Sequence, residues 1–364
     1  MKLNKKLKKG LPSAVPNNNI IGMIFMDLCQ TLFGLAEASG TSGQEYITAG
    51  YALDLLSKFM PAHVDALGSV VGENDGEGCH YLLDAHLDSI GLVVTGIEEN
   101  GFLRVDKCGG TDVRVLPAHE VIVHGKEKVF GVITSIPPHL ARDEGKKAAG
   151  FDEIMIDTGL DGDKAKEIIR AGDRATFVSY YGKMLNNTVR GAYFDDKAGM
   201  CAVLRCLEIL KENNCNKKLS VLFSAQEETG GSGAAAAGFR CEADKSISVD
   251  VSFAKTSDTP KDITASLGKG TMIGFSPVLS YSMSCELKAL AEKRNIPYQL
   301  EIMPDSTGTN ADNLAVAAGG RKAALLSIPM KNMHTPVETV SLDDIEATAR
   351  LMAEYIMNDG GLEA

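Results

Sequence analysis

Residues 199–254, GMCAVLRCLEILKENNCNKKLSVLFSAQEETGGSGAAAAGFRCEADKSISVDVSFA, decide the fold. GMCAVLRCLEILKEN (199–213) reads as an apolar helix, and KLSVLFSAQ (218–226) and SISVDVSFA (246–254) as strands. Outward toward the C-terminus the alternation continues: SMSCELKALAEKRN (282–295) as helix, YQLEIM (298–303) and KAALLSIPM (322–330) as strands. SLDDIEATARLMAEYIMN (341–358) reads as a last helix with Ser341 as its N-cap. Toward the N-terminus, YLLDAHLDSIGLVV (81–94) is a strand-like run that turns polar at its end. Strands alternating with helices predict an α/β fold, a mostly parallel sheet flanked by helices on both faces.

From about Gly91 to Phe177 the texture changes. FLRV, HEVIVHG, VFGVITSI, EIMIDTG and RATFVSY are short stretches separated by Gly, Asp and Pro. They predict small antiparallel strands in a compact barrel, with one helix near Asp163–Ala171. The expected organisation is therefore a catalytic α/β domain made of residues 26–91 and 181–364. A β-rich, barrel-like domain is inserted at 92–180. Residues 27–60 read as helix, Gly/Ser turn, helix, with Ser42 and Glu45 as a capping box for the second. Residues 1–25 read as a tail that is poorly ordered: a basic start (MKLNKKLKKG), then LPSAVPNNN, then only the short IIGMIF, which is a poor signal sequence.

Composition removes several classes. At 364 residues with 44% hydrophobic and 23% charged residues, the chain is globular. A net charge of −11 argues against general nucleic-acid binding, which needs cationic surface. No apolar run is long enough to cross a bilayer. The eight cysteines form no CxxC pair and read as reduced thiols, so a cytoplasmic location is expected.

In open α/β sheets ligands bind beyond the C-terminal strand ends, and five polar clusters fall at such places or in loops. His86 and Asp88 follow the YLLD strand, and side chains two apart in an extended chain point the same way. A ligating histidine gives its second N–H to a carboxylate, which Asp88 can accept; alone, a hydrogen-bonded strand-end histidine explains the pair better. Asp195 and Asp196 precede a helix, where one is readily an N-cap, though a carboxylate there can also bridge two cations. Glu227 and Glu228 end the KLSVLFSAQ strand: one can ligate metal while its neighbour serves as general base, the alternative being a solvated loop. Asp250 lies inside an apolar strand, where an unpaired carboxylate is costly; a metal or an ordinary polar partner would satisfy it. His334 sits in a loop, as most uninformative histidines do, and His139 in IPPHL is the one other histidine in comparable text. Jointly the order His, Asp, Glu-Glu, Asp, His supplies ligands for two metals that share one aspartate, plus a spare carboxylate.

The segments GTSGQE, DAHLDSIG, GVITSIPPHL, AYFDDKAG, SAQEETGGSGA, VDVSFA, LGKGTMI and MHTPVE run in order from about Met26 to the C-terminus. On these the chain resembles the M42 family of metallo-aminopeptidases, which includes glutamyl and self-compartmentalised tetrahedral aminopeptidases. The resemblance implies a zinc-exopeptidase-like fold with an inserted barrel. It implies two divalent metal ions per subunit, zinc or cobalt, one held by His86, Asp195 and Asp250, the other by Asp195, Glu228 and His334. Glu227 would be the general base and Asp88 would orient His86. Peptides would be the substrates, and a homo-oligomer, from dimer to dodecamer, is implied. Two departures stand out: Ser89 where the family usually has Glu, and Gly308-Thr309-Asn310 where it often has Gly-Thr-Asp. Three other functions fit the sequence less well. A deacylase or carboxypeptidase would need a cation such as Lys255, Arg321 or Lys331 for a substrate carboxylate. A glycoside hydrolase fits poorly, because Glu227 and Glu228 are chain neighbours and there is no Trp. A catalytically dead binding protein is disfavoured by the intact residue set.

Overall fold

The computed structural model describes residues 26–38, 40–140, 149–257, 259–260 and 263–359. The tail expected at 1–25 lies outside the described residues.

Four parallel strands form the centre of the large sheet, in the order Lys217–Ser224, Glu77–His86, Lys245–Phe253, Lys322–Lys331. They are apolar on both sides because both faces are covered: the last seven residues of Glu77–His86 are all buried. Strand alternation assigns the faces. Leu82 and Leu222 pack with Ala234 and Leu314, from the helices Ser232–Arg240 and Asn310–Val316. Leu83, Val221 and Phe223 join the main core with Phe194–Glu212 and Leu342–Met357, two helices that pack on each other. Ser341 caps the last helix by accepting a hydrogen bond from the Asp343 N–H at 3.2 Å.

Among the described strands, parallel pairing occurs in this centre and in the pair Thr271–Phe275 with Tyr298–Ile302. The margins are antiparallel: Val70–Glu73 and Ala62–Val64 on one side, and Glu338–Ser341, Thr188–Gly191 and Gly182–Lys183 on the other.

A separate closed barrel follows. Its strands run Gly91–Ile97, Leu103–Cys108, Met155–Asp157, Lys128–Ile133, Glu120–His124, Arg174–Phe177 and back to the first. Alternate residues such as Val121 and Val123, or Leu103 and Val105, fill its interior. The short helix beside it runs Gly162–Ile168, begun by the Asp161 carboxylate, which accepts from the Lys164 N–H, and it stops three residues before the expected Ala171.

The capping box expected at Ser42 and Glu45 does not form. The helix Tyr46–Leu56 has no side-chain cap. Glu45 instead accepts from the Gly43 N–H at 2.7 Å, and the Ser42 hydroxyl donates to Asp88 at 2.6 Å. The helix begins only at Tyr46, with Glu45 at its N-cap position, so Ser42 lies too far ahead to cap it and its hydroxyl serves the site.

Candidate metal centre

Two of the central strands end side by side at Ser224 and His86, and Asp250 lies opposite Ser327 inside the neighbouring pair Lys245–Phe253 and Lys322–Lys331. Loops leaving the strand ends bring Glu227, Glu228 and His334 to the same place, and the start of the Phe194–Glu212 helix adds Asp195. All line one cavity of about 620 Å³. Asp195 lies between two imidazoles, its Oδ1 3.0 Å from His86 Nε2 and its Oδ2 3.2 Å from His334 Nε2. His86 Nε2 is also 3.9 Å from Asp250 Oδ1 and 4.0 Å from Glu227 Oε2. His334 Nε2 is 3.5 Å from Glu228 Oε2. Among the described residues two triads have donor atoms within 4.8 Å of one another: His86 with Asp195 and Glu228, and His86 with Asp196 and Asp250.

Asp196 enters that second triad but has a structural occupation as well. Its carboxylate accepts from the Gly199 N–H at 2.9 Å and the His86 N–H at 3.3 Å, so it caps the regular part of the helix and steadies His86. Asp88 is a hub. Its carboxylate accepts from Ser42 Oγ at 2.6 Å, the Glu227 N–H at 3.0 Å and the Glu228 N–H at 3.2 Å. His86 Nδ1 lies 3.2 Å from the Asp88 carbonyl and 3.5 Å from its carboxylate, so Asp88 fixes the glutamate pair at least as directly as the imidazole.

Electrostatics tell the same story. Burial pushes Asp250 and Asp196 well up, raises Glu227, and takes Glu228 up to about 8, with neighbouring carboxylates adding to each. Burial also acts on Asp195, but hydrogen bonds from His334 and His86 outweigh it and hold that carboxyl low. Burial would lower the two imidazoles, yet Asp195 keeps His86 well above its usual range and His334 at about 9. A cluster with this many buried carboxylates is short of positive charge. Glu228 Oε1 is a buried oxygen with no hydrogen-bond partner. Oxygen and imidazole donors, an orphaned acceptor and a shared carboxylate together fit divalent cations.

Three non-glycine residues here hold positive φ: Tyr193 (67°) before Phe194, Gln226 (60°) before Glu227, and His334 itself (61°). Such backbone is uncommon away from glycine and persists where surroundings fix it.

Sequence reasoning missed three contributors. Glu338 is 1% exposed and accepts backbone N–H groups from the loops of Asp195 and His334. Burial, with Asp195 nearby, pushes its carboxyl up to about 8. Gly110, from the barrel side, offers its carbonyl to His334 Nδ1 at 3.2 Å, and a Cβ at that position would collide with the imidazole. Lys197 is fully buried and donates to the Asp88 carbonyl at 2.7 Å and to Ser89 Oγ at 2.6 Å. The serine departure thus meets a lysine. The other departure, Asn310, donates to Ser224 Oγ at 2.7 Å behind the strand end. Only backbone geometry exposes the first two; no residue pattern marks them.

Lys255, Arg321 and Lys331 do not line the cavity, and Arg321 is used on the Gly238 and Cys241 carbonyls. Among the described residues no lysine or arginine lines the cavity, so none of these three supplies the cation a carboxypeptidase reading requires. His139 lies elsewhere, in the Pro138–Leu140 turn. Glu227 and Glu228 sit on one loop at one side of the cluster, which does not suit flanking a glycosidic bond.

The sequence matches the family described as M42 glutamyl aminopeptidase over residues 68–351. It is 30% identical to a lysyl aminopeptidase of Pyrococcus furiosus, over 87% of this chain and 93% of that one. The fold superposes on an aminopeptidase of the archaeon Desulfurococcus kamchatkensis with TM-score 0.84 and 29% identity, over 91% of this chain and 94% of that one. It superposes on a Pyrococcus horikoshii TET peptidase, described as assembling into a tetrahedron or a large octahedral shell, with TM-score 0.81 and 30% identity, over 91% and 99%. Family match, fold and cluster agree: the chain belongs to the M42 glutamyl aminopeptidase family and is a metal-dependent aminopeptidase.

Proposed function

We propose that the centre is dinuclear and that the enzyme removes N-terminal residues from peptides with Glu227 as general base. The observation that carries this is the Asp195 carboxylate, with one oxygen toward His86 and the other toward His334. His86, Asp195 and Asp250 would hold one divalent ion and Asp195, Glu228 and His334 the other. When bound, such ions polarise a carbonyl and acidify water. Burial raises the Glu227 carboxyl above its ordinary range, and a carboxylate set beside the cluster can take and return a proton. Its Oε2 faces the cluster, so it accepts the proton of the attacking water and delivers it to the leaving amine. Asp88 holds the Glu227 and Glu228 backbone and the His86 loop in place for this. The donor set suits zinc or cobalt.

The remaining features follow the same reading. The barrel strands span Gly91–Phe177, which supports a catalytic unit of 26–91 and 181–364 with an insert at 92–180. All eight cysteines are free, which supports a reducing, cytoplasmic setting. Among the described residues no helix is long and apolar enough to cross a membrane. A homo-oligomer is supported by the assembly reported for the Pyrococcus horikoshii peptidase.

A panel of aminoacyl-p-nitroanilides and matched peptides tests the reaction class. Peptides with a free amine are cut and their N-acetyl forms resist. Equal cleavage of both, or release from the C-terminus first, contradicts exopeptidase action at the N-terminus.

A further inference from the structure

Glu338 belongs to no expected ligand set, yet it touches both halves of the centre. Its carboxylate is buried and bonds backbone only. Oε2 accepts from the Phe194 N–H at 2.7 Å and the Asp195 N–H at 3.2 Å, and Oε1 accepts from the His334 N–H at 3.2 Å. One side chain therefore joins the loop that carries Asp195 to the loop that carries His334. Both loops contain a non-glycine residue at positive φ, Tyr193 at 67° and His334 at 61°. Backbone of that kind relaxes unless it is held, and a buried carboxyl whose two oxygens accept N–H groups from both loops is such a tie. Glu338 is itself anchored: it opens the strand Glu338–Ser341, which pairs with Gly191 just before the Asp195 loop and with Met330 just before the His334 loop.

We infer that Glu338 is a positioning residue that sets the separation of Asp195 and His334 by fixing the backbone of both. This inference rests on the dinuclear reading of the site. It predicts that Glu338 controls the affinity and geometry of the centre without supplying a ligand atom to it. Glu338→Gln keeps the size but turns one acceptor oxygen into an N–H donor facing other N–H donors, which frees one of the loops.

The test uses the cobalt-loaded full chain. Glu338→Gln weakens Co²⁺ binding in competition with a chelator by roughly 10–100-fold, the usual effect of losing a partner that orients ligands, and shifts the visible Co²⁺ absorption. Asp344→Asn is the matched control. Asp344 is also a buried carboxylate that takes two backbone N–H groups, from Gly268 and Gly270 at 2.7 Å each, but away from the cavity. It keeps the wild-type Co²⁺ affinity and spectrum. Wild-type affinity and spectrum in Glu338→Gln, or an equal loss in Asp344→Asn, overturns the inference. Amide exchange on the wild-type chain gives a reading that needs no variant and no metal. The Phe194, Asp195 and His334 amides exchange slowly in the metal-free protein; exchange of any of them at the rate of an exposed loop overturns the inference as well. Failure of the wild type to take up Co²⁺ counts against the dinuclear reading, while the exchange rates still decide the role of Glu338.

Discussion

Glu227 and Glu228 are adjacent in sequence, and the proposed mechanism gives them different roles. Both backbone N–H groups are held by Asp88, so the pair is presented rigidly. Glu228 lies nearer His334 and has the orphaned buried oxygen, whereas Glu227 lines the cavity about 4.0 Å from His86 Nε2. Glu227→Gln is accordingly expected to keep its metal and lose at least ~10²-fold in kcat, the usual scale for a lost general base. Glu228→Gln is expected to lose metal. Metal analysis beside steady-state kinetics checks this, and the reverse pattern would exchange the two roles. The acidic doublets and both histidines were legible jointly, through their order along the chain; singly, each had an ordinary structural explanation. Glu338 and Gly110 were not, because each acts through backbone hydrogen bonds or bare space. Nothing in MHTPVE says where its glutamate points, and no residue type announces a carbonyl that aims at an imidazole.

At the scale of elements, hydrophobic runs identified the central strands and the two long helices, and Ser341 was readable as a cap because its partner lies two residues on. Long-range contacts were not readable. Ser42 looks like a cap and serves Asp88 instead. The antiparallel margins were hidden too, since apolar runs mark strands without stating their direction. Asp344 shows how an element can carry a pH response. It lies in the first turn of the last helix, accepts from Gly268 and Gly270, and burial pushes its carboxyl from 3.8 up to about 6. A raised carboxyl binds its proton more tightly in the folded chain, so its stabilising contribution is full below pH 3.8 and is lost as pH rises through about 6. Urea denaturation across that window should show wild-type stability falling more steeply with pH than that of Asp344→Asn. Parallel curves would mean that Asp344 ionises as freely folded as unfolded.

For the whole molecule, the barrel and the sheet are coupled at the centre. The chain enters the barrel at Gly91, just beyond Asp88, and Gly110 reaches back from it to His334. The change of texture near Gly91 made a barrel legible, but its contact with His334 depends on tertiary approach. The exposed Met184 and Leu185 lie in the turn beyond the edge strand Gly182–Lys183 and are natural candidates for burial between subunits. Light scattering at micromolar concentration is expected to show a stable assembly. A mass near 38.7 kDa would refute it, and twice that would limit it to a dimer. The centre itself is tested most directly by stripping the full chain with chelator, titrating back zinc or cobalt, and following aminoacyl-p-nitroanilide hydrolysis against bound metal. Activity should vanish without metal and reach its plateau at two ions per chain. Full hydrolysis by the stripped chain, or a plateau at one ion, would contradict a dinuclear aminopeptidase.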